Sequence, residues 1–161
     1  GTELSNLINA GTYLLELEIL EMIPPNQKIS IERDIYPKVA GDGLHGFPFK
    51  GYFIDSGTPE SYLEANFRSI GNNGTAAHTG ASIRGGVMIH KNAKLEHCII
   101  GPNTIIGPNV KLEKCVIRNS VILSDVNGYG SIVEESIIGP NIKFEEDVNR
   151  SLISPEGQIT F

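Results

Sequence analysis

The second half of the chain carries an internal repeat of 17 residues, and this period constrains the fold more than any other feature. From about residue 76, aliphatic residues recur at steps of six, six and five. A short strand and a tight corner fit each step, so one period predicts one coil of a triangular β-solenoid. Five columns carry the pattern: Ile83, Ile100 and Ile117; Ile89, Ile106 and Leu123; Leu95, Leu112 and Tyr129; Val87, Thr104, Val121 and Ile138; and Ala93, Val110, Asn127 and Phe144.

The corners of the predicted coils are rich in turn residues. The chain has 18 Gly and 9 Pro, and Gly-Pro-Asn occurs at 101–103, 107–109 and 139–141. Gly and Asn tolerate positive φ, and Pro fixes its own φ. Because one coil cannot bury its inward residues alone, we expect four stacked coils over about 80–147, then a tail to Phe161. An all-β sandwich is the alternative, but its turn spacing would be less regular.

Three aliphatic–Gly pairs relate this pattern to a known fold. Ile100-Gly101, Ile106-Gly107 and Ile138-Gly139 resemble the hexapeptide repeats of left-handed parallel β-helices, in which Gly follows an aliphatic residue at a corner. The resemblance, and not the period, implies the left hand, because parallel crossovers are normally right-handed. We therefore expect an all-β left-handed parallel β-helix domain over residues 73–161.

Residues 1–72 follow a different pattern and predict a mixed α/β region that ends at Gly71-Asn72-Asn73-Gly74. Strand-like alternation, apolar residues at helical spacing and N-cap signals indicate its elements. The expected elements are a strand over 7–15, a helix over 17–23 ended by Pro24, a helix over 29–39 capped by Ser30, a strand pair over 46–54, and a helix over 59–70 capped by Thr58.

Three motifs in this region carry the functional information. They are Asn9-Ala10-Gly11-Thr12-Tyr13, the segment SIERDIYP over 30–37, and the segment GYFIDSGTP over 51–59. In order and spacing they resemble sugar-1-phosphate nucleotidyltransferases, with mannose-1-phosphate guanylyltransferases as the closest branch and glucose-1-phosphate transferases nearby. The resemblance implies that residues 1–72 are the C-terminal remainder of such a catalytic domain, with the β-helix appended.

The resemblance also assigns roles to four residues. The Asn9 amide would hydrogen-bond sugar hydroxyls, which an amide matches as both donor and acceptor. Gly11 would let the backbone approach the sugar ring, and Glu32 would lie near the sugar, although a solvated helix carboxylate explains Glu32 equally well. Asp55 would bind Mg²⁺, which prefers one or two carboxylates plus phosphate oxygens. Without the resemblance, Asp55 would be a turn residue before Gly57.

The family's remaining catalytic parts have no counterpart in these 161 residues. Such enzymes carry a Gly-x-Gly-Thr-Arg loop for the nucleoside triphosphate, a second metal-binding Asp and a Lys that neutralises the sugar phosphate. They join a nucleoside triphosphate and a sugar 1-phosphate into a nucleotide sugar and release pyrophosphate, a reaction that depends on alignment and charge neutralisation. We therefore expect a piece of a longer enzyme, without a complete catalytic set and inactive alone.

Two further roles are open for the solenoid. Many left-handed β-helices are acyltransferases that use acyl-CoA and a His general base, and His78, His90 and His97 stand near the first coils. Alternatively, the solenoid serves oligomerisation or regulation, as a trimer (common for such solenoids) or a dimer (as in the parent family). We favour oligomerisation.

Charge and cysteine content exclude some classes of partner. The net charge of −6 argues against nucleic acid, whose binders carry a basic face. Two Cys and the lack of a long apolar run predict a soluble, cytoplasmic protein without a membrane segment. Cys98 and Cys115 share one column of the repeat, which favours stacked small apolar residues over a metal site. Asn103 and Asn119 fall one residue out of the 17-residue register, so no Asn ladder is expected.

Overall fold

The computed structural model describes residues 7–71, 74–75 and 77–161. The chain divides into two compact units, Gly1–Phe53 and Ile54–Phe161. The division falls upstream of the predicted boundary at 72/73, because helix Pro59–Ile70 packs on the solenoid. No helix in the described part of the chain is long and apolar enough to cross a membrane.

The larger unit is a parallel β-solenoid, as the repeat predicts. Its three sheets each take one strand from successive coils, so neighbouring strands of a sheet are parallel. Sheet A contains β1 (Ala81–Ile83), β4 (Cys98–Ile100), β7 (Val116–Arg118), β10 (Ile132–Glu134) and β13 (Val148–Asn149). Sheet B contains β2 (Val87–Ile89), β5 (Thr104–Ile106), β8 (Ser120–Ile122), β11 (Ile137–Ile138), β14 (Ser151–Ser154) and the antiparallel β15 (Gly157–Thr160). Sheet C contains β3 (Lys94–Glu96), β6 (Lys111–Glu113), β9 (Asn127–Tyr129) and β12 (Lys143–Phe144).

The 17-residue register is correct for the first two coils and wrong beyond Ile117. Leu95 pairs with Leu112 as predicted, but Leu112 pairs with Gly128 and not with Tyr129. The next coil is one residue shorter, because the corner after β7 passes through the single positive-φ residue Asn119. Since strand side chains alternate between faces, this one-residue slip sends Tyr129 outward and Gly128 inward.

The core is built from the inward residue of each strand. Stacked aliphatic side chains form one cluster along the solenoid axis, and Cys98 and Cys115 lie within it as small buried residues, as predicted. The main members of this cluster are Val87, Leu95, Ile100, Ile106, Val110, Leu112, Ile117, Ile122, Val126, Val133 and Ile138.

One predicted aliphatic column is a ladder of buried hydroxyls. Thr104 pairs with Ser120, which stands where the 17-residue period predicted Val121. The Ser136 N–H donates to Ser120 Oγ at 3.0 Å, and the Ser151 N–H donates to Ser136 Oγ at 3.1 Å. Each Ser hydroxyl also donates to a carbonyl two residues earlier. The ladder is therefore satisfied although it is buried, which removes the cost of the polar groups.

Helix α3 (Pro59–Ile70) covers sheet B of the same unit. Thr58 caps it, with Thr58 Oγ1 accepting from the Ser61 N–H at 3.2 Å, and Pro59 occupies its first turn. Leu63 packs with Val121 and Ile137, so the outward face of sheet B is apolar where the helix lies on it. The predicted helix and its cap are confirmed.

The smaller unit contains helices and no strand among its described residues. They are α1 (Leu17–Glu21), a π-helical turn (Ile31–Ile35) and α2 (Tyr36–Val39). Ser30 caps the π-helical turn as predicted, and Pro37, which has no N–H, interrupts the regular bonding there. The strands expected over 7–15 and 46–54 are wrong, because alternation alone does not make a strand without a paired neighbour.

Candidate functional site

Asn9, Tyr13 and Glu32 meet on the surface of the smaller unit. Asn9 Nδ2 lies 2.8 Å from Glu32 Oε1 and 2.6 Å from the Tyr13 hydroxyl oxygen. The Tyr13 hydroxyl donates to the same Glu32 oxygen. Asn9 and Glu32, which the resemblance names separately, therefore form one hydrogen-bonded cluster across 23 positions of sequence. The contribution of Tyr13 was not predicted, although it closes the motif that contains Asn9.

The turn at Gly11 orients the Asn9 amide. The Gly11 N–H donates to Asn9 Oδ1 at 2.9 Å, and Gly11 has φ of 68°, a conformation that favours glycine. With Oδ1 held by the backbone, the amide nitrogen must face Tyr13 and Glu32. Glu32 Oε2 makes no hydrogen bond within the described residues and remains an acceptor for a ligand hydroxyl.

The cluster is backed by aromatic packing and by the π-helical turn. The rings of Tyr13 and Tyr36 meet edge to face, with centroids 5.2 Å apart. The hydrogen bond to Glu32 raises the pKa of Tyr13, and burial of its hydroxyl raises the pKa of Tyr36. Both phenols are therefore neutral at physiological pH, and Tyr13 acts as a donor toward the Glu32 carboxylate.

Asp55 belongs to the larger unit and ends a segment before helix α3. Its Oδ1 accepts from the Gly57 N–H at 3.0 Å, which is the turn geometry expected of Asp before Gly. The carboxylate is exposed, and Oδ2 is left for another partner. No group of three or more His, Cys, Asp or Glu that could hold a metal occurs among the described residues. Asp55 thus fits one ligand position of a Mg²⁺ site and not a whole site.

The histidines of the first coils do not form a catalytic pair in the described structure. His78 Nδ1 lies 2.6 Å from the Thr79 carbonyl oxygen, and His90 Nδ1 accepts from the Asn92 N–H at 3.2 Å. His97 occupies a positive-φ corner. Each is thus accounted for by local turn structure.

Positive-φ corners at two edges of the solenoid each stack a pair of polar side chains, which corrects the expectation for Asn103 and Asn119. Asn103 Nδ2 donates to Asn119 Oδ1 at 3.1 Å, and Asn109 Nδ2 donates to Asp125 Oδ1 at 3.0 Å. The true spacing is 16 residues, so the pairs that looked out of register are stacked directly. The pair Asn103 and Asn119 faces helix α3 across a groove also lined by Leu63, Phe67, Arg150 and Phe161.

Comparison with known proteins relates this chain to mannose-1-phosphate guanylyltransferases. Residues 83–154 match the family model described as the GMPPB C-terminal domain. A probable mannose-1-phosphate guanylyltransferase 2 of Oryza sativa is 37% identical over 106 residues, which is 61% of this chain and 28% of the relative. A mannose-1-phosphate guanylyltransferase of Mycobacterium tuberculosis is 30% identical over 117 residues, 60% of this chain and 31% of the relative.

An archaeal relative matches a larger share of the chain than these two. The putative mannose-1-phosphate guanyltransferase of Sulfolobus acidocaldarius is 36% identical over 124 residues, covering 75% of this chain and 31% of the relative. The chain spans about a third or less of the length of these relatives.

Proposed function

From the premise that the solenoid is a C-terminal β-helix of the sugar-1-phosphate nucleotidyltransferase family, we propose that the chain is the C-terminal portion of a mannose-1-phosphate guanylyltransferase-like enzyme. The whole protein would join a nucleoside triphosphate and a sugar 1-phosphate into a nucleotide sugar and pyrophosphate. The match of residues 83–154 to the GMPPB C-terminal domain carries this proposal. The three motifs before the solenoid support it, because they follow the family's order.

In this proposal the cluster of Asn9, Tyr13 and Glu32 faces the sugar. A hexose hydroxyl both donates and accepts, so it can donate to Glu32 Oε2. It can accept from Asn9 Nδ2 or the Tyr13 hydroxyl by replacing a partner that either donor has within the cluster. Gly11 has open space where a Cβ would stand. A ring could therefore approach the backbone closely at this turn. The cluster supplies orientation of the sugar and contains no group that would act as nucleophile.

Asp55 is the proposed Mg²⁺ ligand, through Oδ2. When bound, Mg²⁺ would neutralise phosphate charge during transfer. Asp55 supplies one carboxylate and the Gly57 N–H fixes its orientation. Since these 161 residues contain neither the triphosphate-binding loop nor the Lys for the sugar phosphate, we propose that this chain alone has no transferase activity.

The solenoid is proposed to serve oligomerisation or regulation in a cytoplasmic homo-oligomer, and its left hand stays a prediction. Its polar residues are locally satisfied and its histidines lie in turns. Acyl transfer therefore gains no support over the nucleotidyltransferase assignment. The exposed apolar residues of the smaller unit, such as Phe47 at 90% and Leu7 at 72% exposure, are consistent with a unit that is covered in the whole enzyme.

A chimera tests the proposal. The corresponding C-terminal part of a guanylyltransferase relative is replaced by this chain, and pyrophosphate release is measured with mannose 1-phosphate and GTP. We expect an active chimera and an inactive isolated chain. Asn9→Ala or Glu32→Gln should raise KM for the sugar phosphate at least ~10-fold, because a hydrogen bond to the sugar is lost. Asp55→Asn should lower kcat at saturating sugar phosphate.

Matched controls separate these roles from general damage. Gln27→Ala removes an exposed amide, and Asp42→Asn an exposed carboxylate, outside the cluster. Both should leave the kinetics unchanged. A folded chimera without activity would contradict the proposed sugar site. An active chimera whose KM for the sugar phosphate is unchanged by Asn9→Ala and Glu32→Gln would contradict it as well. Turnover by the isolated chain at enzyme-like rates would contradict its inactivity.

A further inference from the structure

The outward face of sheet C carries two columns of opposite charge. Each strand of the sheet begins with one outward residue and places the next outward residue two positions later, on the same face. Successive strands stack these positions in register, except that Glu145 follows directly after the end of β12. The first column is Lys94, Lys111, Asn127 and Lys143, and the second is Glu96, Glu113, Tyr129 and Glu145; all eight line one shallow groove of the solenoid.

Stacked like charges on adjacent strands are unfavourable within one copy of the chain. Lys94 lies directly over Lys111, and Glu96 over Glu113. Only the Glu column gains local compensation in the described residues, where Lys114 Nζ lies 3.1 Å from Glu113 Oε1 and 3.0 Å from the Tyr129 hydroxyl. Lys94, Lys111 and Lys143 form no ion pair within the described part of the chain. The separation of the two signs into columns therefore needs another explanation.

We propose that sheet C is a docking face for a second copy of this chain, related by a two-fold axis parallel to the solenoid axis. Such an axis reverses the strand direction across the interface but keeps every coil at its own level. Each Lys column then faces the partner's Glu column. The proposal rests on the oligomerisation role proposed for the solenoid and names its face and symmetry.

The exceptional third coil fits the same symmetry. In this coil Asn127 and Tyr129 stand in place of Lys and Glu. The two-fold axis places the Asn127 amide of one copy opposite the Tyr129 hydroxyl of the other, and the two groups can form a hydrogen bond. A two-fold axis along the strands would instead place Lys on Lys and Glu on Glu. Packed sheets lie about 10 Å apart, a gap that extended Lys and Glu side chains span together.

The face is small, so we expect a weak dimer in the isolated chain. Sheet C has four strands of two or three residues, well below the area of a standard stable interface. The net charge of −6 also makes two copies repel at long range. The local charge pattern must overcome this repulsion, so the dimer should depend strongly on the two columns.

Charge exchange tests the face, with the full 161-residue chain in sedimentation experiments from micromolar to millimolar concentration. We expect a monomer–dimer equilibrium. Lys94→Glu with Lys111→Glu, or Glu96→Lys with Glu113→Lys, should raise Kd at least ~10-fold, because several attractive pairs become repulsive. An equimolar mixture of the two variants should form a heterodimer about as tight as the original dimer, since opposite columns meet again.

Two controls isolate pairing from net charge. Lys28→Glu with Lys38→Glu changes the charge equally at exposed positions of the smaller unit and should leave Kd unchanged. Mixing the Lys94/Lys111 variant with Glu18→Lys/Glu21→Lys should not restore the dimer. If a double variant does not fold, as judged by circular dichroism, the single changes Lys111→Glu and Glu113→Lys provide the same mixing test.

The outcomes separate this face from the broader role of the solenoid. If the chain forms an oligomer whose Kd is unchanged by both charge reversals, the sheet C face is wrong and the oligomerisation role is retained. A chain that stays monomeric throughout overturns both. Weakening by each reversal without recovery on mixing also overturns the proposed two-fold pairing. None of these results bears on the transferase activity, which the chimera tests separately.

Discussion

The inward column of sheet C contains a glycine whose missing side chain is replaced by an aromatic ring from the next coil. Leu95 and Leu112 occupy this column in the first two coils, Gly128 in the third and Phe144 in the fourth. A Cβ at Gly128 would contact Phe144 Cζ, and would lie 2.6 Å from Phe144 Cε2 and 2.8 Å from Leu112 Cδ2. The ring of Phe144 therefore fills the space above Gly128.

We predict that Gly128→Ala destabilises the solenoid and that shortening Phe144 relieves the effect. Carbon atoms pack at about 3.5–4.0 Å, so the new methyl is roughly 1 Å too close to the ring. Overpacking of this kind costs about 2 kcal/mol. Gly128 does not have a positive φ. The steric clash, and not backbone strain, therefore determines the loss of stability in Gly128→Ala.

Combining Gly128→Ala with Phe144→Leu should destabilise the solenoid by less than the sum of the two single substitutions. Phe144→Leu removes ring atoms from a residue that is 8% exposed and should cost about 1.5 kcal/mol. In the double variant the methyl occupies the space that the ring vacates, but its close contact with Leu112 Cδ2 remains. We therefore expect a total of about 2 kcal/mol instead of about 3.5, so the coupling between the two positions is about 1.5 kcal/mol.

Urea unfolding followed by far-ultraviolet circular dichroism measures this cycle in the full chain. Phe144→Leu with Leu95→Ile, at a column position that does not contact the ring space of Gly128, serves as the additive control. Costs that simply add for Gly128→Ala and Phe144→Leu would refute the packing argument. A Gly128→Ala variant as stable as the original chain would refute it directly.

The remaining predictions concern a corner and the sugar-side cluster. Asn119 has φ of 48° and accepts a hydrogen bond from Asn103. Asn119→Ala should therefore reduce the free energy of unfolding by about 1–2 kcal/mol, whereas Asn119→Gly, which tolerates this φ, should reduce it clearly less in thermal unfolding. Equal losses of stability would contradict a backbone origin. Glu32→Gln should lower the raised pKa of Tyr13 toward its ordinary value of about 10, as measured by phenolate absorbance. Because folding raises this pKa, its stabilising effect is present below about pH 10 and is lost as pH rises toward the folded-state value; a titration unchanged by Glu32→Gln would contradict the assigned cause.

The solenoid could be predicted from the sequence because coil stacking imposes a period on every inward position. The period failed after Ile117, where a shorter corner reduced the spacing to 16 residues, and again after Val133, which pairs with Val148 at a spacing of 15 residues. A repeat search that assumes a constant length cannot detect such a shift, since aliphatic residues flank both Val121 and Ile122. The stacked pair Asn103 and Asn119 was the available signal, because two Asn at 16-residue spacing both occupy positive-φ corners.

The candidate site was predictable only in part. Asn9 and Glu32 were named by resemblance, and their contact arises from tertiary structure that no local pattern encodes. Tyr13 was missed because its hydroxyl matters only once Glu32 lies beside it. The strands over 7–15 and 46–54 were wrong for the related reason that strand formation depends on a neighbour, which sequence alternation does not supply.

The two units differ in how much of their apolar surface is buried. In the solenoid the aliphatic columns are buried by the next coil, and helix α3 covers the apolar part of sheet B. The unit thus completes its own core. In the smaller unit Ile35 is the only fully buried apolar residue among those described, while Leu14, Leu17, Phe47 and Phe49 are exposed. Its hydrogen-bonded cluster around Asn9 is therefore held by few apolar contacts, so substrate contacts or a covering surface would contribute more to its order than they would in the solenoid.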